Sequence, residues 1–461
     1  MSTLSASLAE GVQALWESRL TPEAISTARL CVEDLLGVAL AASRDPAADS
    51  LKQLRHPGVQ EGQCSLIGSP DRAQPSLAAF WNGTLGHLLD YDDCAYPMVG
   101  HPSAVIVPAC LAVCECEGLS GSHLLRAYIV GFEVSNRVGR AVNPELYERG
   151  WHATGAVGVL GACAAASVLL GLTKQEIRHS LGIAASFASG LRANFGSVAK
   201  SLHAGRAAEG GVTAAYLARG GATSSDNALE GELGYARVLA GVKLDPEDVC
   251  LLDEPLAIVD PGVFFKKYPS CGSTHTCIDA ISSLVSDGRI RPEQIERIDV
   301  YVHPSKLSIL PYSEPRSGLE AKFSMEFCAA AAALGCSMTC SDFSTNVVTA
   351  ASVRRMMARV CVHPDGGIEK QGFDTQTVRV ELGLDDGSRV RRVVTIPPGQ
   401  RPRELSRAEH LAKFASCAAV ALSPSEVGHL AEMTSALDEV ADVRSLGNLL
   451  HGAEGRQACS D

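Results

Sequence analysis

Four stretches of this 461-residue chain crowd together side chains that can move protons or hold anions. The first, HLLDYDDCAYPMVGHPSA at positions 87 to 104, gathers His87, Asp90, Asp92, Asp93 and His101 around Pro97 and Gly100. Carboxylates this dense repel one another unless they are solvated, paired with cations or protonated. The plain structural reading is a helix end with solvated acids, followed by the N-cap of the next helix. Asp and His also suit several divalent ions, but no HExxH-like spacing is present, so no metal site is expected. The second stretch, ERGWHATGAVG, sets His152 directly before a small-residue helix start. The free N–H groups of a helix N-terminus attract an anion, and an imidazole beside them is placed to act on a bound carboxylate. A lone histidine is, however, more often a satisfied structural residue.

The third stretch, FGSVAKSLHAGRAAEGG, spaces Lys200, His203 and Arg206 three apart, so on a helix the three share a face. A solvated surface stripe is the bland alternative, which the flanking Ala and Gly make less natural. Burial of that face in a cleft would lower a lysine pKa towards the range of a general acid or base. The fourth, FFKKYPSCGSTH, holds Lys266, Lys267, Cys271 and His275 around Pro269 and Gly272. A Cys–His nucleophile is the sharper reading there, but no third orienting residue accompanies it, so cysteine catalysis is not expected. No GxGxxG follows a strand and no GxxxxGK[ST] occurs, which argues against a nucleotide cofactor, and no GxSxG elbow is present.

Positioning these residues falls to two kinds of chain. From about residue 5 to 260 the pattern is helical, with runs at Ala24 to Ala42, Ala104 to Glu117, Val157 to Leu172 and Arg206 to Arg219. VGVLGACAAASVLLGL is apolar nearly all round, the mark of a helix buried on several sides. Near Pro261 the texture changes. ERIDVYVH alternates like a strand, and VRVEL and RVRRVVTI flank Asp385-Asp386-Gly387-Ser388 as a hairpin. A helix is expected at Ser324 to Leu334, and Ser406 to Leu450 returns to helical periodicity. The expected fold is mainly α: a large helical domain from residues 1–261 and 401–461, and a smaller α+β lid domain from 262–400. The fourth stretch falls at their junction, where ligand sites often form.

Composition bounds the partners. Hydrophobic residues make up 46% of the chain and aromatics 5%, so the interior is built from Ala, Leu, Val and Ile, with 43 Gly permitting close backbone approach. Forty Lys and Arg against 52 Asp and Glu give a formal charge of −12, which opposes nonspecific binding to nucleic acid. No apolar run of about 18 residues indicates a membrane span. The N-terminus lacks the pattern of a signal peptide, and the 16 Cys read as buried hydrophobes and free thiols rather than disulfides or zinc ligands. The expected compartment is the cytoplasm.

Taken in order, HLLDYDDC, GHPSAVIVPA, GWHATGAVG, AKSLHAGRAAEGG, KKYPSCGSTH and EAKFSMEF resemble the successive signature segments of the MmgE/PrpD family. The resemblance runs from about Leu8 to beyond Pro398. It implies a helical domain with an α+β lid, a homodimer, a site in the cleft, and no organic cofactor. It also implies site positions at Asp90, His101, His152 and Lys200, with Lys266 or Lys267 as the lid lysine. The family includes methylcitrate dehydratase, cis-aconitate decarboxylase and iminodisuccinate epimerase. Three positions depart from its patterns: Cys94 where Thr is frequent, Cys271 where one decarboxylase branch has His, and Phe327 where KFS is often followed by Tyr. A missing phenol removes a donor and acid, which counts against cis-aconitate decarboxylation.

These reactions share one chemical need, proton transfer at a carbon beside a carboxylate while enediolate-like charge develops. The expectation is a lyase on a small di- or tricarboxylate, with Lys200 and His152 as acid and base. His101 and Lys267 would bind carboxylate and Asp90 would orient a histidine, with His203, Cys271, His275 and Cys94 lining the site. The alternatives are an epimerase of an imino- or aminodicarboxylate and a non-catalytic binding protein.

Overall fold

The computed structural model describes residues 3–54, 62–252 and 255–452. The outermost residues of the expected helical domain, 1–2 and 453–461, lie outside these. The fold is mainly α with a minor α+β part. The first half is built from α1 (Leu4–Glu17), α2 (Pro22–Ala42), α3 (Pro75–Leu88), α4 (Ser103–Glu117), α5 (Gly121–Val142), α6 (Gly158–Leu169), α7 (Lys174–Ala185) and α8 (Val198–Arg219). Their starts follow local chemistry. The side chains of Thr21 and Ser120 cap α2 and α5, and Thr173 with Glu176 forms a reciprocal capping box on α7.

Small residues decide how close these helices come. All of α6 is buried, as its all-round apolar sequence requires. Where α3 crosses α8, a methyl group built on Gly205 would lie 2.4 Å from Phe80 O and 2.2 Å from Thr84 Oγ1. The facing Gly83 is in the same position, 3.0 Å from Gly205 Cα. With no side chains between them the two backbones almost touch. That contact brings the last turn of α3, with His87, to the first turn of α8, with Lys200.

The stretch expected to form the lid, hereafter the lid, comprises α9 (Gly272–Gly288), β1 (Ile295–Val302), α10 (Ser305–Ile309), α11 (Met325–Ala333), β2 (Val360–Pro364), β3 (Val378–Leu384) and β4 (Arg389–Val394). Its sheet runs in the order β2-β1-β3-β4. Val300 faces Val380 across the antiparallel β1–β3 pair, and Leu382 faces Val390 in the β3–β4 hairpin. Helices α9 and α11 cover the sheet's apolar face. The expected strand, hairpin and helix are all present. The sequence reading lacked β2, which pairs parallel with β1, Val300 facing Val362. Four half-buried residues and an exposed Pro364 give little periodic signal, and parallel pairing requires a long crossover that local pattern does not reveal. The antiparallel pair Cys64–Ser65 with Arg72–Ala73 also went unread, since two residues per strand carry no periodicity. After the lid, α12 (Arg407–Ala418) packs back on α2, and α13 (Pro424–Ser435) follows it.

Gly205→Ala should therefore destabilise the protein by about 1–3 kcal/mol, the usual range for overpacking. Gly428→Ala, at an exposed position of α13 with open space around it, should instead stabilise by about 0.4–1 kcal/mol. Denaturant unfolding of the two variants beside the parent protein tests the difference in sign.

Candidate active site

Asp90 is the centre of the site. It follows the end of α3 with φ 52°, a left-handed backbone conformation rare outside glycine and asparagine. Lys266 holds it there: its Nζ donates to the Asp90 carbonyl at 2.7 Å and lies 3.2 Å from Oδ1. Lys200 Nζ donates to the same Oδ1 at 2.8 Å. One carboxylate thus receives an ammonium from α8 and another from the loop entering the lid. All three residues are buried. The two lysines hold the Asp90 carboxyl well below its usual range against the opposing effect of burial, and Asp90 raises Lys266 in return.

Asp92 organises the imidazoles. Its Oδ2 lies 2.8 Å from His87 Nδ1 and 3.1 Å from His101 Nδ1. The Asp92 carboxyl is held well below its usual range, although burial opposes this, by the two imidazoles that face it and donate to it. A carboxylate only accepts, so both Nδ1 atoms carry the hydrogen and both Nε2 atoms are free to accept. His87 Nε2 accepts from Lys200 Nζ at 2.7 Å. His101, the half-buried member, turns its Nε2 towards Asp90, 3.9 Å from Oδ1. Burial pulls His87 down to about 3 and lowers His101 as well, keeping both neutral at pH 7. Beyond them His152 and His203 share a hydrogen between their Nδ1 atoms, 3.1 Å apart, with His152 stacked on His87. Burial lowers both, His203 to about 4. Phe195 and Phe323 flank Lys200 Nζ at 5.5 and 5.3 Å, one ring from each half of the molecule.

The structure brings Asp90, His101, His152, Lys200, His203 and Lys266 together, with Cys94 Sγ 3.7 Å from His101 Nδ1. Burial raises the Cys94 and Cys271 thiols, so neither is a ready thiolate. Three expectations need correction. Lys267 is exposed, its Nζ 5.8 Å from the Tyr268 ring, and it is Lys266 whose side chain turns inward. Arg206 is exposed and pairs with Glu209 at 2.8 Å, because a three-residue step rotates slowly off the face that buries Lys200. His275 packs against Phe264 and Tyr268 with Nε2 3.3 Å from Ser270 O, a position within the lid loop's own packing. The acids are buried rather than solvated, and Asp93 faces away to Ser103, its carboxyl raised to about 7 by burial. The roles of His87 and Asp92 were missed. Both stood in the acidic run, but Lys200, the partner of His87, lies 113 positions away, and the spacing of Asp92 from His87 and His101 does not show which carboxylate of the run the two rings share.

The MmgE/PrpD N-terminal domain model matches residues 6–247 and the MmgE/PrpD C-terminal domain model residues 268–439. This chain belongs to the MmgE/PrpD family. It is 29% identical to a cis-aconitate decarboxylase of Mus musculus, over 98% of this chain and 94% of that protein. It is 28% identical to that of Homo sapiens, over 100% of this chain and 97% of that protein. It is 26% identical to one of Aspergillus terreus, over 95% of this chain and 94% of that protein. In this MmgE/PrpD chain no helix among the described residues is long and apolar enough to cross a membrane.

The same family site gathers potential metal donors: one ligand atom each from His87, Asp90, Asp92 and His101 lie within 4.8 Å of one another. Two lysine ammoniums already sit on Asp90, and one of them occupies His87 Nε2. A divalent cation would have to displace positive charge that the cluster holds in place.

Buried neutral histidines make the protein acid-sensitive. The folded-state pKa of His87, and that of His275, is lowered to about 3, while in the unfolded chain each titrates at about 6.5. Between those values the unfolded chain binds more protons, so stability falls as pH falls, by up to about 1.4 kcal/mol per pH unit per group, while Asp93, raised to about 7 when folded, acts oppositely and offsets about one such group. Melting midpoints should drop between about pH 6.5 and pH 4.5, and His87→Gln should make that slope shallower whatever it does to stability at neutral pH. An unchanged slope in the variant would show that His87 already titrates normally when folded.

Proposed function

We propose that this protein is a cofactor-independent lyase that removes CO2 from a small tricarboxylate of the cis-aconitate type. The observation that carries this reading is an Asp92–His101 pair, with an imidazole Nε2 free to exchange a proton, set beside two lysine ammoniums around Asp90. The names of the full-length relatives support a lyase over an isomerase and decarboxylation over dehydration. Phe327 does not count against it. Its ring is fully buried against Phe343 in the lid core, so a phenol there would be a feature of lid packing.

In cis-aconitate the C–CO2 bond breaks and its electron pair forms a new double bond. The old double bond's pair takes a proton at the carbon beside another carboxylate. The reaction needs a proton donor and a fixed positive field for the charge that develops between the two events. His101 is the group best oriented to relay the proton: its Nε2, empty at rest, takes one up and passes it to carbon, while Asp92 fixes the tautomer and stabilises the imidazolium between the two transfers. Lys200 and Lys266 supply the field, and Lys200, on the same Asp90 oxygen that His101 Nε2 faces, is the ammonium that can hand His101 its proton and recover one from solvent. His152 and His203 complete the wall. This places His101 in the acid/base role and Lys266 in the role of carboxylate binder. Asp90 Oδ2 and Asp92 Oδ1 are buried without a partner among the described residues, acceptors to which a protonated substrate carboxyl can donate. As an assembly, a homodimer through the small-residue helices is part of the same reading.

Proton NMR in deuterated water tests it. With cis-aconitate, product should appear with one deuterium at the protonated carbon and one CO2 released per turnover. Deuterium entering a dicarboxylate with no bond broken would overturn the lyase reading in favour of epimerisation.

His101→Asn should reduce kcat by about 10²–10⁴-fold, the range of a lost acid or base. Lys200→Ala should lose a comparable factor, but it should also melt lower, since it removes one partner of a buried ion pair, a change that can cost about 3–5 kcal/mol. Lys266 remains on Asp90 and limits that loss. Lys200→Arg should do little better in turnover because a guanidinium does not release its proton. Retention of more than about a tenth of the parent kcat by folded His101→Asn would rule that residue out as the acid.

A further inference from the structure

The lid holds another buried ammonium, and this one makes no ion pair among the described residues. Lys306 lies in α10, just past the end of β1, and is 6% exposed. The buried Lys200, Lys266 and Lys413 each sit on an aspartate at 2.8, 3.2 and 2.7 Å, and Lys322 donates to Pro269 O at 2.8 Å. Lys306 Nζ donates to the neutral amide of Gln376 at 3.4 Å and makes no ion pair among the described residues, Asp374 acting on it only from beyond ion-pair distance. A buried cation without a counter-charge is costly unless something else supplies one.

Its surroundings show where that charge would come from. Lys306 lies close enough to Cys271 for the two to interact electrostatically, and Cys271 interacts in the same way with Asp90, Lys266 and Lys200. Cys271 is thus the neighbour that Lys306 shares with the charged cluster. The segment carrying Lys306 is docked on the helical half on either side of the site wall. Arg192 Nη2 donates to Ser308 O at 3.5 Å, and Tyr312 Oη donates at 2.6 Å to the carbonyl of Phe195, whose ring packs on His152.

We infer that Lys306 binds a distal carboxylate of the substrate, across Cys271 from the Asp90 cluster, and so selects acids that carry a carboxylate beyond the reacting end. The inference rests on the carboxylate-lyase reading above and names which substrates that site prefers. Burial lowers the Lys306 pKa to about 8, and an anion beside the ammonium would favour its charged form.

Calorimetric binding of propane-1,2,3-tricarboxylate and its two monoamides to the full chain tests this without turnover. In the parent protein one monoamide should bind at least about tenfold more weakly than the triacid, the loss expected for a charge-assisted hydrogen bond. Lys306→Met should weaken the triacid by a similar factor and abolish the difference between triacid and that amide, with Lys306→Gln as a second neutral variant if the first melts early. The parent-protein comparison needs no variant. Equal binding of the triacid and both amides by the parent protein, or a difference that survives in folded Lys306→Met or Lys306→Gln, would overturn the role of Lys306 while leaving the lyase reading intact. No binding of any of the acids by the parent protein would remove both.

Discussion

Two ionised aspartates lie in the interior of this protein, and the rest of the site follows from neutralising them. Asp90 and Asp92 are 3% and 0% exposed, where an uncompensated carboxylate would protonate or unfold its surroundings. The compensation comes from distant parts of the chain. Lys200 arrives on α8, Lys266 on the strand-like entry to the lid, and His87 and His101 from either side of the acidic turn. Moving any one of them leaves a buried charge without its partner. The close α3–α8 crossing at Gly83 and Gly205 is therefore as much a property of the site as of the core.

The turn that holds the acids is itself held by backbone contacts. Cys94 and Phe264 exchange two N–H to carbonyl hydrogen bonds at 2.9 Å, which sets Lys266 two residues on opposite Asp90. Lys413, from α12, donates to the Tyr91 carbonyl at 2.9 Å and pairs with Asp34 of α2, while Tyr91 Oη donates to the Lys267 carbonyl at 3.0 Å. The final helices thus clamp both the acidic turn and the lid entry. Substituting Lys413 would be expected to loosen a site it does not touch.

Electrostatically, the cluster keeps its carboxylates charged and its imidazoles neutral. Desolvation lowers the histidines, whereas the paired ammoniums outweigh desolvation at Asp90. The result is a site whose protons sit on defined atoms before any substrate enters, which is what preorganised acid–base chemistry requires. It also explains why a metal-like set of donors need not hold a metal: the same oxygens and nitrogens already accept from lysine and histidine.

By itself the sequence determined the elements and most of the chemistry-bearing residues. Helix α6 is apolar on every side and so must be buried, the hairpin around Asp385 to Ser388 is carried by period-two alternation, and the ordered motifs mark Asp90, His101, His152 and Lys200. Only the tertiary structure decided which partner each residue has. Lys266 and Lys267 are equivalent in the sequence, and it takes the Phe264–Cys94 bridge to turn one inward and leave the other in solvent. Arg206 shares its spacing with Lys200 and His203, yet two further helical steps carry it to the surface. His87 gains its role from a lysine 113 positions away, Asp92 from the two imidazoles folded onto it, and Lys306 from the ion pair it does not make among the described residues. The physical reason is the same in each case: local pattern reports which face a residue occupies, while charge compensation is settled between segments that meet only when the chain has folded.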